Sequence, residues 1–214
     1  MIIIKAETCG VAWLSYLDAV IKYGKKNMDD GVMIIEADLA LLTISSFSQD
    51  DEIISTLGDK RLIKRYTKKL FKTDVLPEFT VSYGRRVFQH KGFNLFDQMV
   101  KTLKQKPESK SASISLLYPE DQPGFKPCLC LLQTKVRNNR SHLTCCFRSQ
   151  NAYRSYANFI SLNQLHKKVC DDLQLPQGDL TLFVNCPHIY EDDFKCVKSM
   201  LLGKSNEIIP AAFI

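Results

Sequence analysis

Apolar residues recur at three- and four-residue spacing in four stretches of the chain, and each predicts a helix with one buried side. The first follows Thr8, a residue able to cap a helix, and carries Val11, Leu14, Leu17 and Ile21 before Gly24 stops it. The second, over residues 60–72, places Leu62, Ile63, Tyr66 and Leu70 on one side, with Asp59 as its cap. The third, over 94–105, carries Leu95, Phe96, Met99, Val100 and Leu103, and Pro107 ends it. The fourth opens at Asn158 and carries Phe159, Leu162, Leu165, Val169 and Leu173. A last helix is expected over 190–202, capped near Glu191.

Between these lie short β-rich runs. Strands are expected at 2–6, at 32–44 as one strand or a bent pair, at 112–118 and at 180–184. Residues 126–158 read as two antiparallel strands and the turn into the fourth helix. Residues 45–51 and 119–124 read as loops, and 76–87 as a loop leading to a short extended piece. Several strands are joined too tightly for parallel crossovers. The expected fold is therefore α+β, one mixed, largely antiparallel sheet with helices on it, in a single domain spanning 1–214.

Composition changes this picture little. The net charge of +6 suits an anionic small molecule. The densest basic run, 60–72, has helical apolar spacing and reads as a solvated helix face, not a nucleic-acid stripe. No apolar run reaches the ~18 residues of a membrane span, and the opening MIIIKAETCG lacks the form of an export signal. A cytoplasmic protein is expected, contacting neither nucleic acid nor membrane, with its eight cysteines as reduced thiols.

Candidate chemistry concentrates in residues 126–158, KPCLCLLQTKVRNNRSHLTCCFRSQNAYRSYAN. If the two strands pair, Cys128 at the start of the first lies near Arg148 and Ser149 at the end of the second. A buried cysteine is ordinarily a small hydrophobe, but a thiol beside a guanidinium is placed to act as a nucleophile. An arginine fork with a hydroxyl is a common phosphate clamp, and also a common surface pair. Cys130, expected on the same face as Cys128, joins Cys145 and Cys146 in a cluster without the CxxC knuckle of a zinc site, so no metal is expected. His188 and Tyr190 flank Ile189 at a strand end and point the same way if extended. They could bond two sugar hydroxyls or satisfy each other. Asn158 could cap its helix or meet a ligand.

Taken in order, these segments resemble the thymidylate synthase family, over about half the chain. YGRRV at 83–87 is similar to the family's YG segment, and FDQMVKTLKQKPESKS at 96–111 to its DQ-containing helix. KPCL at 126–129 resembles the "PC" nucleophile site and FRSQNAY at 147–153 the "RS.D" motif. NFISLNQL at 158–165 resembles the asparagine-led helix, and LFVNCPHIY at 182–190 the strand ending in "HIY".

The resemblance implies a thymidylate synthase-like three-layer fold that dimerises back to back through the sheet. It implies that Cys128 attacks C6 of a pyrimidine nucleoside monophosphate, dUMP being favoured, and that C5 then takes a one-carbon unit from 5,10-methylenetetrahydrofolate or a related reduced pterin. Arg148 and Ser149 would hold the 5′-phosphate, joined by Lys110 from the second subunit of a homodimer. Asn158 would read the base, His188 and Tyr190 the ribose, and Asn151 stands where the family places an aspartate beside the folate ring. The chain departs from the family elsewhere. Leu129 follows the nucleophile in place of histidine, Phe147 precedes the arginine in place of glutamine, and Ser111 stands where a second cross-dimer arginine is usual. The stretch to Asn158 is one residue short, and no counterpart of the helix-borne catalytic glutamate is evident in 59–72. The first reading is a compact synthase, resembling the shorter archaeal-type members. A pyrimidine nucleotide C5-hydroxymethylase and a non-catalytic nucleotide-binding homologue are the alternatives.

Overall fold

The computed structural model describes residues 1–47, 51–74, 82–122 and 126–213. The chain runs β1 (Ile2–Ala6), α1 (Cys9–Tyr23), β2 (Lys25–Asp29), β3 (Val32–Glu36), β4 (Ala40–Ile44), α2 (Glu52–Leu57) and α3 (Lys60–Phe71). It continues with α4 (Tyr83–Phe88), α5 (Leu95–Gln105), β5 (Ser113–Ser115), β6 (Leu129–Arg137), β7 (Arg140–Phe147), β8 (Gln150–Asn151) and α6 (Ser155–Leu173). Then follow β9 (Gln177–Val184), β10 (Pro187–Tyr190), α7 (Phe194–Gly203) and β11 (Ala212–Phe213).

The fold is α+β with mixed sheet pairing, as expected, but the described strands form two sheets and not one. Seven strands lie in the order β11-β1-β4-β9-β7-β6-β5, and four in the order β2-β3-β10-β8. In the larger sheet β1 runs parallel to β4 and β7 to β9, and the other pairings are antiparallel. The second sheet escaped the sequence reading because β8 is two residues long and β10 four. Neither shows a period of its own.

The helix predictions hold where the apolar spacing is regular. Thr8 caps α1 by accepting from the Val11 amide at 3.3 Å, and Asp59 caps α3 by accepting from Arg61 at 2.7 Å. Three readings shift. Residues 83–88, expected to be extended, form α4, because the Ser82 hydroxyl accepts from the Arg85 amide and nucleates a turn. The strand expected at 112–118 is only β5. The last helix is α7, preceded by a 3₁₀ turn at Glu191–Asp193. The parts of the expected loops at 48–50, 75–81 and 123–125 lie outside the described residues.

The β6–β7 hairpin closes on Asn138 and Asn139, both at positive φ (51° and 55°), the conformation of a tight type I′ turn. Its register is set so that Leu129 opposes Phe147 and the Arg148 amide donates to the Cys128 carbonyl at 2.9 Å. The core fills the space between the larger sheet and the helices, with Trp13, Tyr16, Phe96 and Phe159 wholly enclosed. Trp13 also has a positioning role. Its indole N–H donates to the Ala152 and Tyr153 carbonyls at 3.2 and 3.1 Å, tying α1 to the turn after β8. The Tyr156 hydroxyl accepts from the Asp59 amide at 3.0 Å and holds the start of α3 against α6.

His166, enclosed on α6, joins the helix layer to the sheet. Its Nε2–H donates to the Ser141 carbonyl at 2.9 Å, and its Nδ1 accepts from the Gln177 amide at 3.1 Å. Gln177 cannot flip without losing its 2.6 Å donation to Asn163. The neutral ring is thus fully paired, and a second ring proton would face another donor. Burial accordingly lowers the His166 pKa from 6.5 to about 4. Between those values the unfolded chain binds the proton and the folded chain does not, so stability falls as pH drops from 6.5 towards 4. The expected loss is about 3 kcal/mol, read by denaturant unfolding across that range. His166→Gln should flatten the dependence.

Candidate active site

One cavity of about 400 Å³ opens where the two sheets approach each other, a size ordinary for a small-molecule site. Its walls include Cys128, Arg148, Ser149, Asn151, Asn158, His188 and Tyr190. These residues come from the turn before β6, the end of β7, β8, α6 and β10. Lys110 is absent from that wall. It is exposed, and its carbonyl accepts from the Gln133 amide at 3.0 Å.

Cys128 sits at a bend one residue before β6, and not within a strand as expected. It is exposed, while most of its counterparts are sheltered. Burial pushes the Cys9 thiol up to about 12 and that of Cys145 well above its ordinary value, so both stay protonated and inert. Cys130 does not share the cavity with Cys128. A bulge between Leu129 and Leu131 breaks the alternation that would have put both sulfurs on one face. Among the described residues no group of three or more His, Cys, Asp or Glu is arranged to hold a metal ion.

Arg148 is partly committed to the backbone beside Cys128. Its Nε donates to the Pro127 carbonyl at 3.1 Å and one Nη to the Lys126 carbonyl at 2.7 Å. A guanidinium has five N–H donors, so three are left for an anion. The same side chain therefore fixes the Cys128 turn and presents charge to the cavity. Ser149 lies beside it, its hydroxyl 3.5 Å from His188 Nδ1.

Asn158 is not a helix cap. α6 begins three residues earlier, at Ser155, and no side chain caps it. Asn158 lies in the first turn of that helix and on the cavity wall. His188 is buried on β10 and Tyr190 lies two residues on, both facing the cavity as strand alternation requires, with the rings 5.1 Å apart edge to face. Asn151 has both ends of its amide engaged. Its Oδ1 accepts from the Tyr153 amide at 2.9 Å and its Nδ2 donates to Asp193 at 3.4 Å.

Several further residues line the cavity that no motif in the sequence marks. Tyr66 and Lys69 reach the cavity from α3, the helix read as a solvated face. Its outer side is solvated, but Lys69 turns inward, its Nζ 4.6 Å from the centre of the Tyr83 ring, and burial lowers its pKa. Tyr83 accepts from the Leu129 amide at 3.2 Å, which leaves its own proton to donate; burial raises its pKa. Asp29 and Asp30 enter from the β2–β3 hairpin. Here a signal was present: Asp30-Gly31, at φ 47° and 81°, is the Asp-Gly pair of a type I′ hairpin.

Gly84 secures the Tyr83 wall. A Cβ at this position would lie 2.2 Å from the Lys72 carbonyl oxygen and 2.7 Å from its carbon, so α4 could not stay against the end of α3. Gly84→Ala is expected to cost about 1–3 kcal/mol, measured by denaturant unfolding, and to displace Tyr83 from the Leu129 amide.

An exposed thiol, an arginine partly committed to backbone carbonyls and the hydrogen-bonding side chains of Asn158, His188 and Tyr190 share one cavity. The thymidylate synthase family model matches residues 46–211. The chain therefore belongs to the thymidylate synthase family. It is 27% identical over 206 residues to a protein of Methanosarcina barkeri named "Putative thymidylate synthase", covering 94% of this chain and 95% of that one. A protein of the same name from Methanothermobacter marburgensis is 29% identical over 147 residues, 67% of this chain and 65% of its own length. Another from Methanocaldococcus jannaschii is 29% identical over 155 residues, 66% of this chain and 69% of its own. Among the described residues no helix is long and apolar enough to cross a membrane.

Proposed function

We propose that the chain transfers a one-carbon unit from a reduced folate to C5 of a pyrimidine nucleoside monophosphate. The reading rests chiefly on one observation: Cys128, Arg148 and Ser149 line a single cavity, with Cys128 and Arg148 joined backbone to backbone at 2.9 Å. The Cys128 thiolate adds to C6 of the base, the S–C6 bond forms, and the C5–C6 π electrons move towards C4=O to give an enolate nucleophilic at C5. C5 bonds to the carbon carried by the folate and loses its proton, and the C–N bond to the folate breaks to leave an exocyclic methylene; hydride from the reduced folate, or water in the second reading, then adds to that carbon as the C6–S bond breaks and returns the thiolate. Arg148 and Ser149 hold the 5′-phosphate. Asn158, whose amide both donates and accepts, reads the base edge and suits uracil. His188 and Tyr190 hold the sugar.

The protein acts as a homodimer in this reading, meeting its partner through the larger sheet. Leu131, Thr144, Cys146 and Thr181 are half-buried and Phe183 exposed on that sheet. Lys110 of each chain would extend to the phosphate of the other. The folate subsite is weakly provided for, because Asn151 is held by Tyr153 and Asp193. That favours hydroxymethylation as the second reading: a pterin released early leaves water to complete the exocyclic carbon. Tritium release from C5-labelled uridine nucleotides with 5,10-methylenetetrahydrofolate, with mass analysis of the product, tests both. Release with a methylated product supports the first reading and a hydroxymethylated product the second. Nucleotide binding without release would mark a non-catalytic homologue.

A further inference from the structure

The wall that faces the sugar carries one carboxylate more than the residues recognised in the sequence. The Tyr190 hydroxyl donates to the Asp29 carboxylate, and both groups line the cavity. Asp29 comes from the β2–β3 hairpin, which pairs with β10 through Ile34 opposite Tyr190 and Glu36 opposite His188. The hairpin lies entirely before residue 46, where the match to the family begins.

The hydrogen-bond inventory of this wall is one-sided. Tyr190 has a single O–H donor, and Asp29 takes it, so towards a ligand the phenol oxygen can only accept. His188 Nδ1 lies 3.1 Å from the Cys186 carbonyl, which can only accept, so in the neutral ring Nδ1 carries the proton and Nε2 is an acceptor. The second oxygen of an ionised Asp29 is another acceptor. Three acceptors lie on this wall, with the Ser149 hydroxyl beside His188 as the nearby donor, and they call for a ligand edge that donates more than once. A ribose 2′,3′-diol donates twice. A 2′-deoxyribose donates once and leaves a carboxylate oxygen facing an apolar CH₂, which costs its desolvation without return.

We propose that Asp29 reads the 2′-hydroxyl of the sugar, and that the nucleotide this site takes is a ribonucleoside 5′-monophosphate, in place of the 2′-deoxy sugar expected from the family resemblance. The inference rests on the nucleotide-binding reading above and adds the class of substrate to it. Tyr190 positions the Asp29 carboxylate, and Asp29 selects the sugar.

Calorimetric titration of the full chain with UMP and dUMP, and with CMP and dCMP, tests this. The ribonucleotide of each pair should bind about ten- to a hundredfold more tightly, the worth of one hydrogen bond to a charged group. In Asp29→Ala the ratio should fall to within about threefold. If that variant fails to fold, Asp29→Asn, which keeps the volume and removes the charge, carries the same test and should also shrink the ratio. Equal or tighter binding of the deoxynucleotides by the unmodified protein overturns the proposal and leaves the nucleotide-binding reading standing. So does a ribonucleotide preference that both variants retain. Failure of all four nucleotides to bind overturns that reading itself, and this proposal with it.

Discussion

Cys128→Ala is expected to lower nucleotide turnover by about 10⁴-fold or more, with nucleotide affinity changed little. The residual rate should be that of a binding site without a nucleophile. C5 of a pyrimidine is a poor nucleophile until C6 is saturated, and among the described residues Cys128 is the thiol that lines the cavity proposed to take the nucleotide. Its neighbours cannot take over: Cys130 is outside the cavity beyond a bulge, and Cys145 is wholly enclosed with its thiol held protonated by burial. The measurement is tritium release from C5 under saturating nucleotide. A loss confined to the catalytic rate separates the removal of a nucleophile from damage to the pocket.

Arg148→Lys should weaken nucleotide binding by roughly a hundredfold, about 3 kcal/mol, and nucleoside binding far less. A lysine keeps the charge but cannot span the same set of partners. It would have to choose between the Lys126 and Pro127 carbonyls, which the guanidinium holds at 2.7 and 3.1 Å, and the phosphate. Calorimetry with the nucleotide and the matching nucleoside separates these roles. If the two affinities fall equally, Arg148 acts on the Cys128 turn alone and does not hold the phosphate.

The way the fold was legible follows from how each element declares itself. α1, α3, α5 and α6 carry regular apolar spacing, and β6 and β7 are long and joined by a tight turn, so local sequence dictates them. β8 and β10 are too short for a period, and they exist because the β2–β3 hairpin gives β10 a neighbour and β10 gives one to β8. α4 depends on a single serine cap and on a glycine that lets it approach Lys72. The site divides in the same way. Cys128, Arg148, Ser149, Asn158, His188 and Tyr190 were found through motif order, and the structure places all of them on one cavity. Tyr66, Lys69 and Asp29 were not, because nothing in their own segments marks a side chain turned inward across a tertiary contact. Lys69 in particular sits in a run whose charge pattern is that of a solvated face, and only the packing of α3 against Tyr83 directs it to the cavity.

The sulfur of Cys128 is expected to form a bond to C6 of a pyrimidine nucleotide. Fluorine at C5 cannot leave as the proton does, so a 5-fluoropyrimidine nucleotide traps that bond once C5 has taken its carbon. The direct measurement is intact-protein and peptide mass spectrometry after incubation with 5-fluoro-UMP or 5-fluoro-dUMP and 5,10-methylenetetrahydrofolate. The predicted result is an adduct mapped to Cys128 and absent from Cys128→Ala. An unmodified protein that nonetheless binds the nucleotide, or an adduct on another cysteine, would contradict it.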